Sequence, residues 1–201
     1  TAASLLLAAA PALAGVPETG DGTITVLGGI RAIPGGEYQS ETGAKHSLWH
    51  PGFLVGLGFQ LDEELHGGIQ LGYALDQYGD GATALKVRSF QILLAADTPL
   101  YQGTWYTIYG GGGIGYSLNT ISRSAGDLEA NSSLGFLAVG FRFRISDHVG
   151  GVIEDRYSIS SAAADPSAMN SVNMGGNLLS AGIIFHFFSP QDKGHPDIPG
   201  G

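Results

Sequence analysis

Charged side chains are scarce in this 201-residue chain, and several fall at spacings that would place them together. Arg142 and Arg144 are two residues apart, as are Glu154 and Arg156, and on extended backbone such pairs share a face. A turn centred near Asp147 makes Glu154 a diagonal cross-strand neighbour of Arg142. Arg31, near the start, completes a set of five. Such a set can do one of two things inside a closed sheet. It can pair internally and stop the interior, because buried charges need partners, or it can line a polar path. The narrowness of a small closed sheet favours the stop.

Other motifs carry less chemistry. Residues 110–115, GGGGIG, match G-x-G-x-x-G, but a nucleotide loop must open a helix within a βαβ unit, and no helical period follows. Inward small residues or barrel bends account better for these glycines. The six histidines, His46, His50, His66, His148, His186 and His195, show no spacing that recruits further metal ligands. Glu37, Glu41, Asp76, Asp80, Asp127, Glu129 and Asp165 fall in polar connections, where they read as a solvated acidic surface or as bridges through divalent cations to lipid phosphates. No cofactor, metal site or catalytic residue is expected.

Composition narrows the setting. Only 13% of residues are charged, about half the ~25% usual in soluble domains. Glycine, at 33 residues, has no collagen-like period. A net charge of −9 leaves no basic patch for nucleic acid. Absent cysteine excludes disulfides and thiolate sites. Residues 1–14, TAASLLLAAAPALA, end in an A-x-A pattern and read as part of a signal peptide. No later run is long and apolar enough for a transmembrane helix.

The elements that must position these residues are strands. Period-2 alternation marks eight of them, at residues 23–32, 52–61, 65–75, 85–96, 105–118, 133–145, 149–159 and 177–188. In the second, Phe53, Val55, Leu57 and Phe59 oppose Leu54, Gly56, Gly58 and Gln60. The fourth changes parity between Val87 and Phe90, which suggests a bulge or a strand end above a bilayer. Connections alternate long and short, so an up-and-down barrel would carry all long loops at one rim. A soluble barrel would need a charged exterior; here the smaller file is Gly, Ala, Ser, Thr and Gln, which suits an interior. Phe53, Tyr73, Tyr101, Trp105, Tyr106, Tyr116, Phe143 and Phe187 stand where interfacial girdles would lie. The expected fold is therefore all-β, an eight-stranded antiparallel up-and-down transmembrane barrel over 15–188, with a polar tail at 189–201.

Those strands, together with IYGGGGIGYS, FRFRISD and the Phe-rich close, resemble the small eight-stranded outer-membrane barrels of Gram-negative bacteria, of the outer-membrane protein A and X types. The resemblance implies a location in the cell outer membrane and a structural or envelope-interaction role. It also implies outer-membrane lipids, lipopolysaccharide and the barrel assembly machinery as partners, with the barrel a monomer. Asp155 departs from it, an acid on the lipid-facing parity. A second, local resemblance links residues 156–177 to lipid A 3-O-deacylases, through Arg156, Tyr157, Ser160, Ala162, Asn173, Gly175 and Asn177. Ser158 replaces the family's catalytic histidine and Ser161 its asparagine, so no base activates Ser160. This second resemblance implies an inactive relative. A narrow pore for small solutes is the other alternative.

Overall fold

A computed structural model describes residues 22–32, 37–40, 43–46, 50–62, 65–78, 84–123, 126–146, 148–165, 170–173 and 175–187. The expected signal peptide, the tail, Asp147, Phe188 and His195 lie outside them. Twelve strands follow in chain order: β1 (Gly22–Ala32), β2 (Glu37–Ser40), β3 (Gly43–His46), β4 (His50–Asp62), β5 (Leu65–Tyr78), β6 (Leu85–Gln102), β7 (Tyr106–Arg123), β8 (Gly126–Glu129), β9 (Ser132–Arg144), β10 (Val149–Asp165), β11 (Asn170–Asn173) and β12 (Gly176–Phe187). Eight of these, β1, β4, β5, β6, β7, β9, β10 and β12, pair antiparallel in sequence order. β12 then pairs β1 from Gly22↔Phe187 to Ala32↔Asn177, which closes the sheet. Closure leaves these eight strands no open edge.

The register fixes the barrel's width. A walk across rungs runs from Ser89 through Ala74, Gly52, Gly29, Ser180, Glu154, Gly140 and Tyr109. It returns to β6 at Pro99, ten residues from its start. Eight strands with that stagger are strongly tilted and enclose an interior that side chains can fill.

Alternation decides which solvent each face meets. Phe53, Val55, Leu57 and Phe59 of β4, Ile69, Leu71 and Tyr73 of β5, and Phe90, Ile92 and Leu94 of β6 all point outward and are exposed. A belt of this size is unstable in water but at home in hydrocarbon. At the short-turn rim Tyr101, Trp105, Tyr106, Phe141 and Phe143 stack with centroids 4.9–5.9 Å apart, an aromatic girdle built largely on β7 and β9.

Four strands outrun their expected C-terminal limits by three residues or more. β5 continues through Asp76 to Tyr78, β6 to Gln102, β7 to Arg123 and β10 to Asp165. Asp97, Thr98 and Pro99 are therefore ladder residues, and the turn they were expected to form lies at residues 103–105. The long connections are also not wholly irregular, since β2, β3, β8 and β11 occupy parts of them.

The apparent parity change in β6 has a clear cause. Pairing from Lys86 to Pro99 is continuous, so no bulge lies there; the irregularity falls between Pro99 and Tyr101. What changes is the solvent. Beyond Phe90, Arg88 and Lys86 face outward and are exposed, while Val87 and Leu85 turn inward and are buried. Leu85 and Val87 pack with Tyr78, Ile121 and Ala130 into a small apolar core. Above the lipid belt the wall thus obeys the ordinary rule for water, apolar inside and charged outside. Val87→Asp should loosen this upper core, because a buried unpaired charge is costly. Limited proteolysis would then cut within residues 119–131, while the membrane barrel keeps its heat-modifiable migration in detergent gels. Unchanged protease resistance would count against a separate upper core.

Candidate functional site

Large inward side chains meet across the middle of the lumen. Leu27, Leu54, Leu93, Tyr109, Leu134, Phe136 and Val152 form one buried cluster, supplied by six of the eight barrel strands. Facing glycines make room for them. A Cβ on Gly113 would lie 2.7 Å from the Phe136 ring, one on Gly72 would lie 3.0 Å from Leu54, and one on Gly140 would strike Tyr109. The inward glycines of β5, β7 and β9 are therefore seats for bulky neighbours. The interior, expected to be mostly small and polar, thus carries a bulky apolar layer at its middle.

Charged groups bracket that layer as separate pairs. Arg156 donates from Nε to Glu154 Oε1 at 3.0 Å and places Nη2 2.7 Å from the same oxygen. The Tyr109 hydroxyl donates to Glu154 Oε2 at 2.7 Å, so both carboxylate oxygens are engaged. The Arg156 guanidinium lies 4.1 Å from the Phe136 ring centroid, which ties the ion pair to the apolar layer. Toward the long-loop rim, Arg31 of β1 meets Asp76 of β5 at 2.6 Å, both buried. Toward the turn rim, Arg142 makes a two-pronged pair with Asp97 at 2.7 and 2.8 Å, its guanidinium 3.9 Å above the Tyr109 ring. Arg144 lies further toward that rim, lining the same cavity as Arg142.

The five residues expected to share one cluster thus do so only in part. Arg31, Arg142, Arg144, Glu154 and Arg156 all line the interior, but Arg142 takes Asp97 rather than Glu154. Glu154 is its diagonal neighbour in register, opposite Gly140 while Arg142 faces Val152. Asp97 wins because the barrel's curvature points β6 and β9 side chains across β7 at one another. Asp76, expected among the surface acids, is instead an interior partner. Asp97 and Tyr109 were missed because the first sat in an expected turn and the second in a run of glycines.

Below the apolar layer the lumen opens. A cavity of about 350 Å³ reaches the turn rim, lined by Thr23, Thr25, Gln60, Gln70, His66, Asp97, Arg142, His186 and neighbours. His66 and His186 therefore face it; His66 Nδ1 stands 3.5 Å from Asp97 Oδ1. Above the layer, a void of only about 20 Å³ lies among Arg31, Leu54, Leu93, Phe136 and Arg156. That is room for about one water. Among the described residues no group of three or more His, Asp or Glu could hold a metal.

Ser160 does not sit in a nucleophilic arrangement. Its hydroxyl lies 2.8 Å from Ser132 Oγ and 3.0 Å from the Ser133 carbonyl, next to the Asn119–Ser117 hydrogen bonds. Ser158, at the position of the deacylase histidine, donates to the Gly176 carbonyl at 3.1 Å. Hydroxyls that bond hydroxyls and carbonyls have no base to take a proton. The GGGG run lies within β7, paired on both sides, and opens no phosphate loop.

No family model and no curated protein matches the sequence. Solved structures do match the fold. Neisserial surface protein A covers 82% of this chain and 97% of its own, at 14% identity and a TM-score of 0.57. The N-terminal β-barrel domain of Pseudomonas aeruginosa OprF covers 85% of this chain and 100% of its own, at 12% identity and a TM-score of 0.51. Ail, the attachment invasion locus protein of Yersinia pestis, aligns at 14% identity and a TM-score of 0.45 over 82% of this chain and 99% of its own. The first two define the class by its fold: the chain has the fold of the small eight-stranded outer-membrane β-barrels.

Proposed function

We propose that the chain is an integral protein of the bacterial outer membrane with a structural and envelope-interaction role, its lumen stoppered and its long-loop rim turned outward. The exposed apolar belt supports insertion in a bilayer. The observation that carries the stopper is the layer from Leu27 to Val152, buried from six strands and clamped by Glu154 and Arg156. Stopped at its middle, the barrel offers its outer wall and rims for work rather than a channel.

Outer-membrane lipids and lipopolysaccharide are the partners this reading supplies. Lys86 and Arg88 project outward just above the belt, where cations meet lipid phosphates. The barrel assembly machinery is the partner during insertion. No catalytic step belongs to the reading. Planar-bilayer recording of the folded barrel tests it: silence is expected at moderate voltage, and stable unitary steps from the unmodified chain would replace the stopper with a pore.

A further inference from the structure

One polar pair stands on the wrong wall. Asp155 points outward from the middle of β10, between Ile153 and Tyr157 on its own strand. Its rung partners are Val139 on β9 and Leu179 on β12. All four of these apolar neighbours are exposed in the lipid-facing belt. Asn177, from the rung of Tyr157, donates its Nδ2 to Asp155 Oδ1 at 2.9 Å. A carboxylate and an amide have thus been placed together in a surface that otherwise rejects both.

Lipid offers such groups nothing. An ionisable side chain within a membrane span is costly, and where it occurs it marks a function and needs a partner. The internal bond satisfies only part of this pair. The amide nitrogen carries two hydrogens and donates one to Asp155, and a carboxylate accepts about four hydrogen bonds. We infer that the β10–β12 wall is a lateral interface within the bilayer, and that its occupant is a second copy of this chain. The pair is self-complementary, an acceptor beside a donor, as a two-fold interface between identical subunits requires. Two barrels inserted in the same direction would bring these walls together about an axis along the membrane normal. Each Asn177 would then donate its second hydrogen to the partner subunit's Asp155. Ala181, outward on β12 beside this pair, lets the walls approach closely.

The opposite wall makes the contrast. β5 lies four strands from β10 on either path around the barrel. Its outward file there is Ile69, Leu71, Tyr73 and Leu75, with no carboxylate or amide among them. The expectation of a monomer comes from the resemblance alone; sheet closure removes backbone edges and leaves side-chain contacts between walls open.

The chain has no cysteine, so one introduced thiol reports on one place. Leu179→Cys and, as control, Leu71→Cys would be expressed in a Gram-negative outer membrane and oxidised there with copper phenanthroline. Each variant would first be verified as folded by heat-modifiable migration. Leu179→Cys should form a disulfide-linked species at twice the monomer's mass, at least fivefold above Leu71→Cys. Adding Asp155→Leu with Asn177→Leu should return it to the control level, and Asp155→Asn should retain most of it. Equal cross-linking of the two thiols overturns the interface. Cross-links to a different protein overturn the choice of occupant, and indifference to the Asp155 and Asn177 changes overturns their role. Conductance is silent in either event, so this outcome and that of the stopper are read separately.

Discussion

Glu154→Ala is expected to cost the folded barrel about 3–5 kcal/mol, the penalty of stranding a buried partner charge. Arg156 is 4% exposed and places two nitrogens on Glu154. The Tyr109 hydroxyl loses its acceptor in the same change. The double variant Glu154→Leu with Arg156→Leu should recover most of the loss, because an apolar pair of similar volume replaces a buried ion pair at little net cost. Urea titration of the barrel in lipid vesicles, followed by tryptophan fluorescence, measures both. If the double variant were as weak as the sum of its singles, the pair would not be acting as a unit.

Phe136→Ser with Leu54→Ser is expected to turn a silent barrel into a conducting one. These two side chains belong to the same buried layer and come from β9 and β4, four strands apart around the barrel. They also border the void of about 20 Å³, while the cavity below already holds about 350 Å³. Removing the ring and the isobutyl group joins the spaces along a path that hydroxyls keep wet. Unitary steps in planar bilayers, absent from the unmodified chain, are the expected readout. A variant that folds, by heat-modifiable migration, yet stays silent would move the stop from the apolar layer to the Arg31–Asp76 or Arg142–Asp97 pair.

The fold was legible because a lipid-facing strand writes its two environments into alternate residues. Phe53 to Phe59 of β4 and Leu179 to Phe187 of β12 each name the face, and the alternation of long and short connections names the topology. The ends of strands were harder. Where β6 leaves the lipid, the polarity of each face inverts, so Val87 carries the sign of a break; Asp76, an inward acid held by Arg31, carries that of a loop, though the two pair as ladder residues. The lumen was legible as a list of inward groups, not as partnerships. Arg142 reaches Asp97 across β7, and no spacing along the chain encodes which inward side chains meet across a closed wall. The glycine seats were read as bends or small residues for the same reason: a vacancy acquires meaning only when Phe136 or Tyr109 is seen to fill it.

The inverted stretch of wall also sets a height. β7 runs five residues past Leu118, which faces outward level with Phe90, to Arg123. At about 3.4 Å per residue that adds roughly 17 Å along the strand, or about 12–14 Å of rise at a tilt of 35–45°. The upper core of Tyr78, Val87 and Ile121 keeps this segment stiff. The barrel therefore stands as a parapet above its own membrane. A large molecule arriving from outside meets protein before lipid, and the loop tips can differ in sequence without disturbing anything the bilayer must accept.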